Sequence, residues 1–101
     1  MRLRYTPRAQ RDLADIYDYL AEKNPAAAQR VEDHIRASLE LLETWAGIGA
    51  PTDLGDVRRL PIVRYPYRAF YRVDEAAGEV QVLRVLHGAR IRDLKSLPDE
   101  I

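Results

Sequence analysis

Between Val57 and Arg90 the chain carries Arg58, Arg59, Arg64, Arg68, Arg72, Arg84 and Arg90, and His87 stands just before Gly88. Guanidinium groups with one imidazole are the raw material of phosphate chemistry. Metal-free RNA cleavage needs a base for the 2′-hydroxyl proton, cations for the phosphorane charge and an acid for the leaving group. Arg68 and Arg90 are the candidate charge stabilisers. His87 is the candidate acid or base, because imidazole titrates near neutrality. No carboxylate in the neighbouring sequence partners His87, so catalysis by it is not favoured. The same arginines also suit a docking surface, or can lay their stems over exposed aliphatics with their heads in water. The residues alone leave these readings open.

Other chemistries are missing. There is no cysteine, which removes disulfides, thiol nucleophiles and cysteine-bound zinc. "AGIGAPTDLGD" at residues 46–56 lacks the lysine and the strand-to-helix setting of a phosphate-cradling loop. No His, Asp or Glu cluster has metal-ligand spacing, and His34 stands alone on a helix. No serine sits in a nucleophile elbow. No cofactor is expected.

The elements that must position the arginines follow from periodicity. A chain of 101 residues is one domain by size, with an apolar fraction of 47% that fits a globular protein. Formal net charge is zero. The stretch from Val57 to Val73 nevertheless holds five arginines and no acid, a local basic stripe on a neutral chain. No apolar leader or membrane-length run is present, so a soluble, cytoplasmic protein is expected.

Arg2 to Tyr5 alternate as a short strand. Thr6-Pro7 then reads as an N-cap with proline at the first helical position. Ala9, Leu13, Ile16, Tyr17 and Leu20 recur at helical spacing, which predicts a helix from about Pro7 to Glu22. Asn24-Pro25 repeats the device. Ala28, Val31, Ile35, Leu39, Leu42 and Trp45 form a second stripe running to about Trp45, so residues 7–45 make a helical hairpin. Residues 46–56 are a loop. The period then changes to two, and residues 57–87 predict a β-meander: Val57 to Arg64, Tyr67 to Asp74, and Glu79 to His87, with "EAAG" as a turn. Pro61 implies an edge position or a bulge. Residues 88–101 form a C-terminal tail. The predicted fold is α+β in β-α-α-β-β-β order, with the hairpin packed on one face of a small antiparallel sheet.

Alternation sorts the meander into faces. Tyr67, Ala69, Tyr71 and Val73 should meet the helices. Arg68, Phe70 and Arg72 should point away, joined by Val82, Arg84 and Leu86 from the last strand, while Leu83 and Val85 take the remaining face. An open sheet face mixing Arg68, Arg72 and Arg84 with Phe70, Val82 and Leu86 has the chemistry to bind an apolar and acidic partner.

"TPRAQRDLADIYDYLAEKNPAAAQRVEDHI", "VRRLPIVRYPYRAFYRV" and "VLRVLHGAR" together resemble the RelE/ParE superfamily of bacterial toxins from type II toxin–antitoxin modules, over nearly the whole chain from Arg4 to about Arg92. The resemblance implies two classes: ribosome-dependent mRNA endonucleases (RelE-like) and non-nucleolytic poisons of DNA gyrase (ParE-like). On the nuclease pattern Arg68 matches a catalytic arginine and Arg90 a second. Arg59 falls near a catalytic lysine, and the other lysine position falls near Pro61. The tyrosine expected after the second arginine is missing from "IRDLKSLP". With lysines and tyrosine absent, the resemblance favours the ParE-like branch, a toxin inhibiting DNA gyrase rather than an enzyme, and the helical hairpin's outer face or the tail from Ile91 onward as the gyrase contact. The RelE-like nuclease, acting on mRNA at the ribosome through Arg68, Arg90, Arg59 and His87, is the alternative. A non-toxic antitoxin-binding module is the third. The resemblance also implies a cognate antitoxin with an amphipathic, acidic C-terminal segment, forming a hetero-oligomer through Arg68, Phe70, Arg72, Val82, Arg84 and Leu86. The groove beside the hairpin, with Tyr19 and Leu41, offers a second landing strip.

Overall fold

The computed structural model describes residues 1–88. Strand β1 (Arg2–Tyr5) leads into helix α1 (Pro7–Ala21) and helix α2 (Pro25–Glu40), which a 3₁₀ turn (Leu41–Glu43) extends. Strands β2 (Ala50–Pro51), β3 (Arg58–Pro61), β4 (Tyr67–Asp74) and β5 (Glu79–His87) follow. Both helices begin as the sequence predicts. The Thr6 hydroxyl accepts from the Ala9 amide at 3.0 Å, and Asn24 Oδ1 accepts from the Ala27 amide at 3.1 Å. Each cap satisfies an amide that the helix cannot, and proline follows where its missing N–H costs nothing.

The apolar stripes predict the core. Ala9 and Leu13 of α1 and Val31, Ile35 and Leu39 of α2 pack on Tyr67, Ala69, Tyr71, Val80, Val82 and Val85 of the sheet, with Leu42 closing one end. Each large aliphatic buried there contributes about 1.5–3 kcal/mol. The stripe of α2 stops short of the predicted Trp45, whose side chain is 61% exposed. Beyond Glu40 the chain tightens to three residues per turn, which rotates Trp45 off the core-facing line.

The sheet has five strands in the order β1-β5-β4-β3-β2. It is mixed rather than antiparallel, because β1 runs parallel to β5, with Leu3 opposite Val80 and Tyr5 opposite Val82. A parallel pair between the first and last strands requires a long crossover, here the helical hairpin itself. The two-residue β2 was not predicted. It pairs only with Arg58 and Arg59, so the Pro61 end of β3 is an edge, where a proline's missing donor is harmless. Gly78 closes the β4–β5 turn at φ +66°, a conformation that favours glycine.

A one-residue bulge divides the β4–β5 pair. Phe70 lies opposite Arg84 and Tyr71 opposite Val82, which leaves Leu83 without a partner on β4. Val80, Val82 and Val85 face the helices. Leu83 and Leu86 face the other way, packed with Phe70, Val57 and Leu54 in a second, smaller cluster. The strict alternation expected of β5 therefore fails: Val82 belongs to the helix-side core and Leu83 to the outer face. An extra residue in a strand inverts the phase of everything beyond it.

Candidate functional site

The bulge leaves backbone groups of β5 with nothing to pair with on β4. Two side chains of the first helical segment take them. The Thr6 hydroxyl donates to the Leu83 carbonyl at 3.1 Å while it caps α1, and Asp12 Oδ2 accepts from the Val85 amide at 3.0 Å. Asp12 also accepts from Arg84 Nε at 2.8 Å and from Arg84 Nη2 at 3.2 Å, and Arg8 stands 3.7 Å away on the preceding turn. Arg84 is 1% exposed. A cation this deep is tolerable only with its charge matched and its donors engaged, which a bidentate carboxylate does. Arg84 is thus an internal anchor of α1 against β5, not part of an open sheet face as its sequence position suggested. Asp12 was missed at the sequence level. Its clue was an acid within one turn of the core residues Ala9 and Leu13.

The remaining predicted docking residues separate by depth. Phe70 and Leu86 do lie on the outer face, but they are buried beneath Val57 and Leu54 instead of open to a partner. Loop 52–57 is folded over them by a local net: Thr52 Oγ1 donates to the Val57 carbonyl at 2.8 Å and accepts from the Leu54 amide at 3.1 Å. Val82 is buried on the helix side. Arg68 and Arg72 are half-buried on the outer face. A Cβ added to Gly88 would stand 3.3 Å from Arg68 Nη1, so that guanidinium lies against the end of β5.

The candidate catalytic set is also divided. Arg59 lies opposite Phe70, which places Arg59, Phe70 and Arg68 on one face. His87 lies opposite Tyr67 and meets its ring edge-on, 5.6 Å between centroids, on the helix side. Imidazole and guanidinium therefore address opposite faces of the sheet. Arg90 lies outside the described residues, as does the rest of the tail.

On the helix side, α1 and the β4–β5 end enclose a cleft of about 360 Å³ lined by Asp12, Asp15, Ile16, Tyr19, Tyr67, Val85, Leu86 and His87. Tyr19 is 59% exposed at its rim, with the Lys23 ammonium 4.0 Å above the ring. Burial pushes the Tyr67 phenol above its ordinary pKa, so this side chain of the wall is neutral across the physiological range. Leu41 is exposed as predicted but lies away from this cleft.

At the other end of the sheet Tyr71 holds loop 46–49. Its hydroxyl donates to the Ala46 carbonyl and accepts from the Gly49 amide, both at 2.8 Å. Burial raises this phenol's pKa too. Arg58 Nη1 donates to the Gly49 carbonyl at 2.8 Å, so one member of the basic stripe serves the fold. His34 of α2 meets Tyr65 edge-on at 5.2 Å.

The model of the family described as the ParE toxin of type II toxin–antitoxin system, parDE, matches residues 3–92. A Sinorhizobium fredii protein named "Putative toxin Y4kP" is 33% identical over 86 residues, covering 85% of this chain and 86% of that protein. Among solved structures, the chromosomal ParDE toxin–antitoxin system of P. aeruginosa is similar at 32% identity and a TM-score of 0.76, over 86% of this chain and 95% of that one. The RelBE2 toxin–antitoxin complex of Mycobacterium tuberculosis is similar at 25% identity and a TM-score of 0.55, over 85% and 88% of the two chains. The isolated E. coli RelE toxin shares the fold, with a TM-score of 0.63 at 16% identity over 93% and 95% of the two chains.

Proposed function

This chain belongs to the ParE toxin family of type II toxin–antitoxin systems, and from that premise we propose that it poisons DNA gyrase and is neutralised by a cognate antitoxin. The observation that carries the gyrase reading over the nuclease one is the separation of His87 from Arg68 across the sheet. A general acid or base must lie within hydrogen-bond reach of the proton it moves. By strand register His87 points to the helix side and Arg68 to the outer face, so the two side chains do not converge on one phosphate from the same face. The test is inducible expression, with the purified chain added to a gyrase supercoiling assay and to a translation extract. Loss of supercoiling with intact translation is the expected result. Abolished translation with normal supercoiling would overturn the proposal.

The second reading, a RelE-like mRNA endonuclease, draws support from one arrangement: Arg59 and Arg68 share a face on adjacent strands. Two guanidinium groups there could hold a phosphate without the histidine. Ribosome-dependent cleavage lost in Arg68→Ala would establish it.

The antitoxin reading is supported by the solved relatives, which include toxin–antitoxin complexes. On this chain the proposed docking surface reduces to Arg68 and Arg72 on the outer face, with Tyr19 and the α1 cleft as the second strip. Phe70, Val82, Arg84 and Leu86 support that surface from beneath.

A further inference from the structure

The cleft between α1 and the β4–β5 end is lined by carboxylates, where the basic stripe carries arginines. Asp12 and Asp15 are the carboxylates among its lining residues, and among the described residues no arginine or lysine lines it, with Lys23 standing over the Tyr19 ring at the rim. Asp12 is consumed by Arg84 and the Val85 amide. Asp15, one turn on, is exposed and forms no ion pair with the described residues. Tyr19 follows Asp15 by four residues, so carboxylate and ring stand on the same flank of α1. Lys23 already rests over that ring, which marks it as a seat for a cation. Beneath them Ile16, Tyr67 and Val85 form an apolar floor, and the volume of about 360 Å³ falls in the range of sites that enclose a ligand.

We propose that this cleft receives a basic, not acidic, amphipathic segment of the antitoxin, with an arginine or lysine between the Asp15 carboxylate and the Tyr19 ring and a flanking aliphatic side chain on the Ile16–Tyr67–Val85 floor. The proposal rests on the reading of the chain as an antitoxin-bound toxin and names the chemistry of one stretch of that partner. An acidic segment would meet Asp15 as a like charge, whereas an arginine pairs with that carboxylate and, beside Lys23, with the Tyr19 ring. The partner then alternates in charge along its length: acidic where it crosses Arg68 and Arg72, basic where it enters the cleft. Such alternation fixes register, since a shifted segment would set like charges against each other.

The probe is a pair of blocked pentapeptides, acetyl-Ala-Leu-Arg-Leu-Ala-amide and its counterpart with glutamate for arginine, titrated into the ¹⁵N-labelled full-length chain by NMR. The arginine peptide should shift the amides of Asp15, Ile16, Tyr19 and His87, with saturation in the millimolar range, and the glutamate peptide should bind at least tenfold more weakly. Asp15→Asn should weaken the arginine peptide about three- to tenfold, with an effect that shrinks in high salt. Equal binding of the two peptides, binding of neither, or an Asp15→Asn variant with unchanged affinity overturns the proposal. Shifts at these amides that depend on protein concentration alone would make a second copy of the chain the occupant and also overturn it. So would a full-length Ile91→Ser, Leu94→Ser variant that binds the peptide tenfold tighter, because the chain's own tail would then be filling the cleft. The supercoiling assay reads the toxin assignment separately, so failure of the peptide experiment leaves that assignment standing.

Discussion

Asp12 and Arg84, seventy-two residues apart in the chain, form a bidentate ion pair at 2.8 and 3.2 Å in the seam between α1 and β5. The same carboxylate takes the Val85 amide that the β5 bulge releases. Helix docking and strand irregularity are thereby one feature. Removing either partner strands the other as a buried charge. Asp12→Ala should destabilise the fold by about 3–5 kcal/mol, and Arg84→Ala by a similar amount. The double substitution Asp12→Ala, Arg84→Ala should cost clearly less than the sum of the two single losses. Urea unfolding of the four proteins of that cycle measures the coupling, and additive losses would contradict a paired charge.

Thr6 carries a cap and a cross-link on one hydroxyl. Thr6→Val keeps the shape but loses both bonds, and should cost about 1–3 kcal/mol. Thr6→Ser should recover most of it. A larger loss in Thr6→Ser than in Thr6→Val would mean that the methyl group, not the hydroxyl, is what matters.

Gly49 lies under the Tyr71 ring. A Cβ there would stand 2.5 Å from Tyr71 Oη, 2.6 Å from Cε1 and 2.9 Å from the Arg59 carbonyl oxygen. Gly49→Ala should therefore lower stability by about 1–3 kcal/mol through overpacking. Tyr71→Phe should not relieve it, because the ring carbon remains. It should instead add a loss of about 1–3 kcal/mol from the orphaned Ala46 carbonyl and Gly49 amide. Shifts in the urea midpoint at constant slope test both statements.

Glu79 lies at the start of β5 between Arg2 and Arg4 of β1. The hydrogen bond from Arg2 foremost, then those from Gln81 and Arg4, hold its carboxyl below the ordinary value of 4.5. A depressed folded-state pKa means that the unfolded chain takes up the proton first. The stabilisation is thus present above about pH 4.5 and is lost as pH falls through the lower folded-state value. Melting temperature against pH should drop less steeply below pH 4.5 for Glu79→Gln than for wild type. Superimposable acid limbs would show that the Arg2 contact carries no weight in solution.

Arg68 and His87 separate the functional readings most economically. Under the gyrase reading, Arg68→Ala and His87→Ala each leave growth inhibition within about twofold of wild type, provided both are folded. Under the nuclease reading, Arg68→Ala loses it by orders of magnitude, as removal of one transition-state cation does. Colony counts after induction, normalised to protein level, decide between them.

Most of the fold is legible in the sequence because it follows from local rules. Thr6-Pro7 and Asn24-Pro25 state where the helices begin, since side-chain capping is settled within three residues. The stripes through Leu13 and Ile35 name the core, and Pro61 marks an unpaired strand edge. Trp45 misleads because a 3₁₀ turn changes the angular step. The pairing of β1 with β5 is silent because nothing in Arg2–Tyr5 states which strand it will meet.

The functional surface is where local reading gives out. Period-two counting puts Val82, Arg84 and Leu86 on one face, and that is correct only for an uninterrupted strand. The sequence alone determined the helix starts, the core stripes, the basic stretch and the family resemblance, all of which depend on residue identity and short spacing. Tertiary structure alone decided that Val82 turns inward, that Leu83 turns outward and that Arg84 disappears beneath α1. The physical reason is that a bulge at Leu83 needs partners for its released backbone groups, and those partners, Thr6 and Asp12, come from the opposite end of the chain.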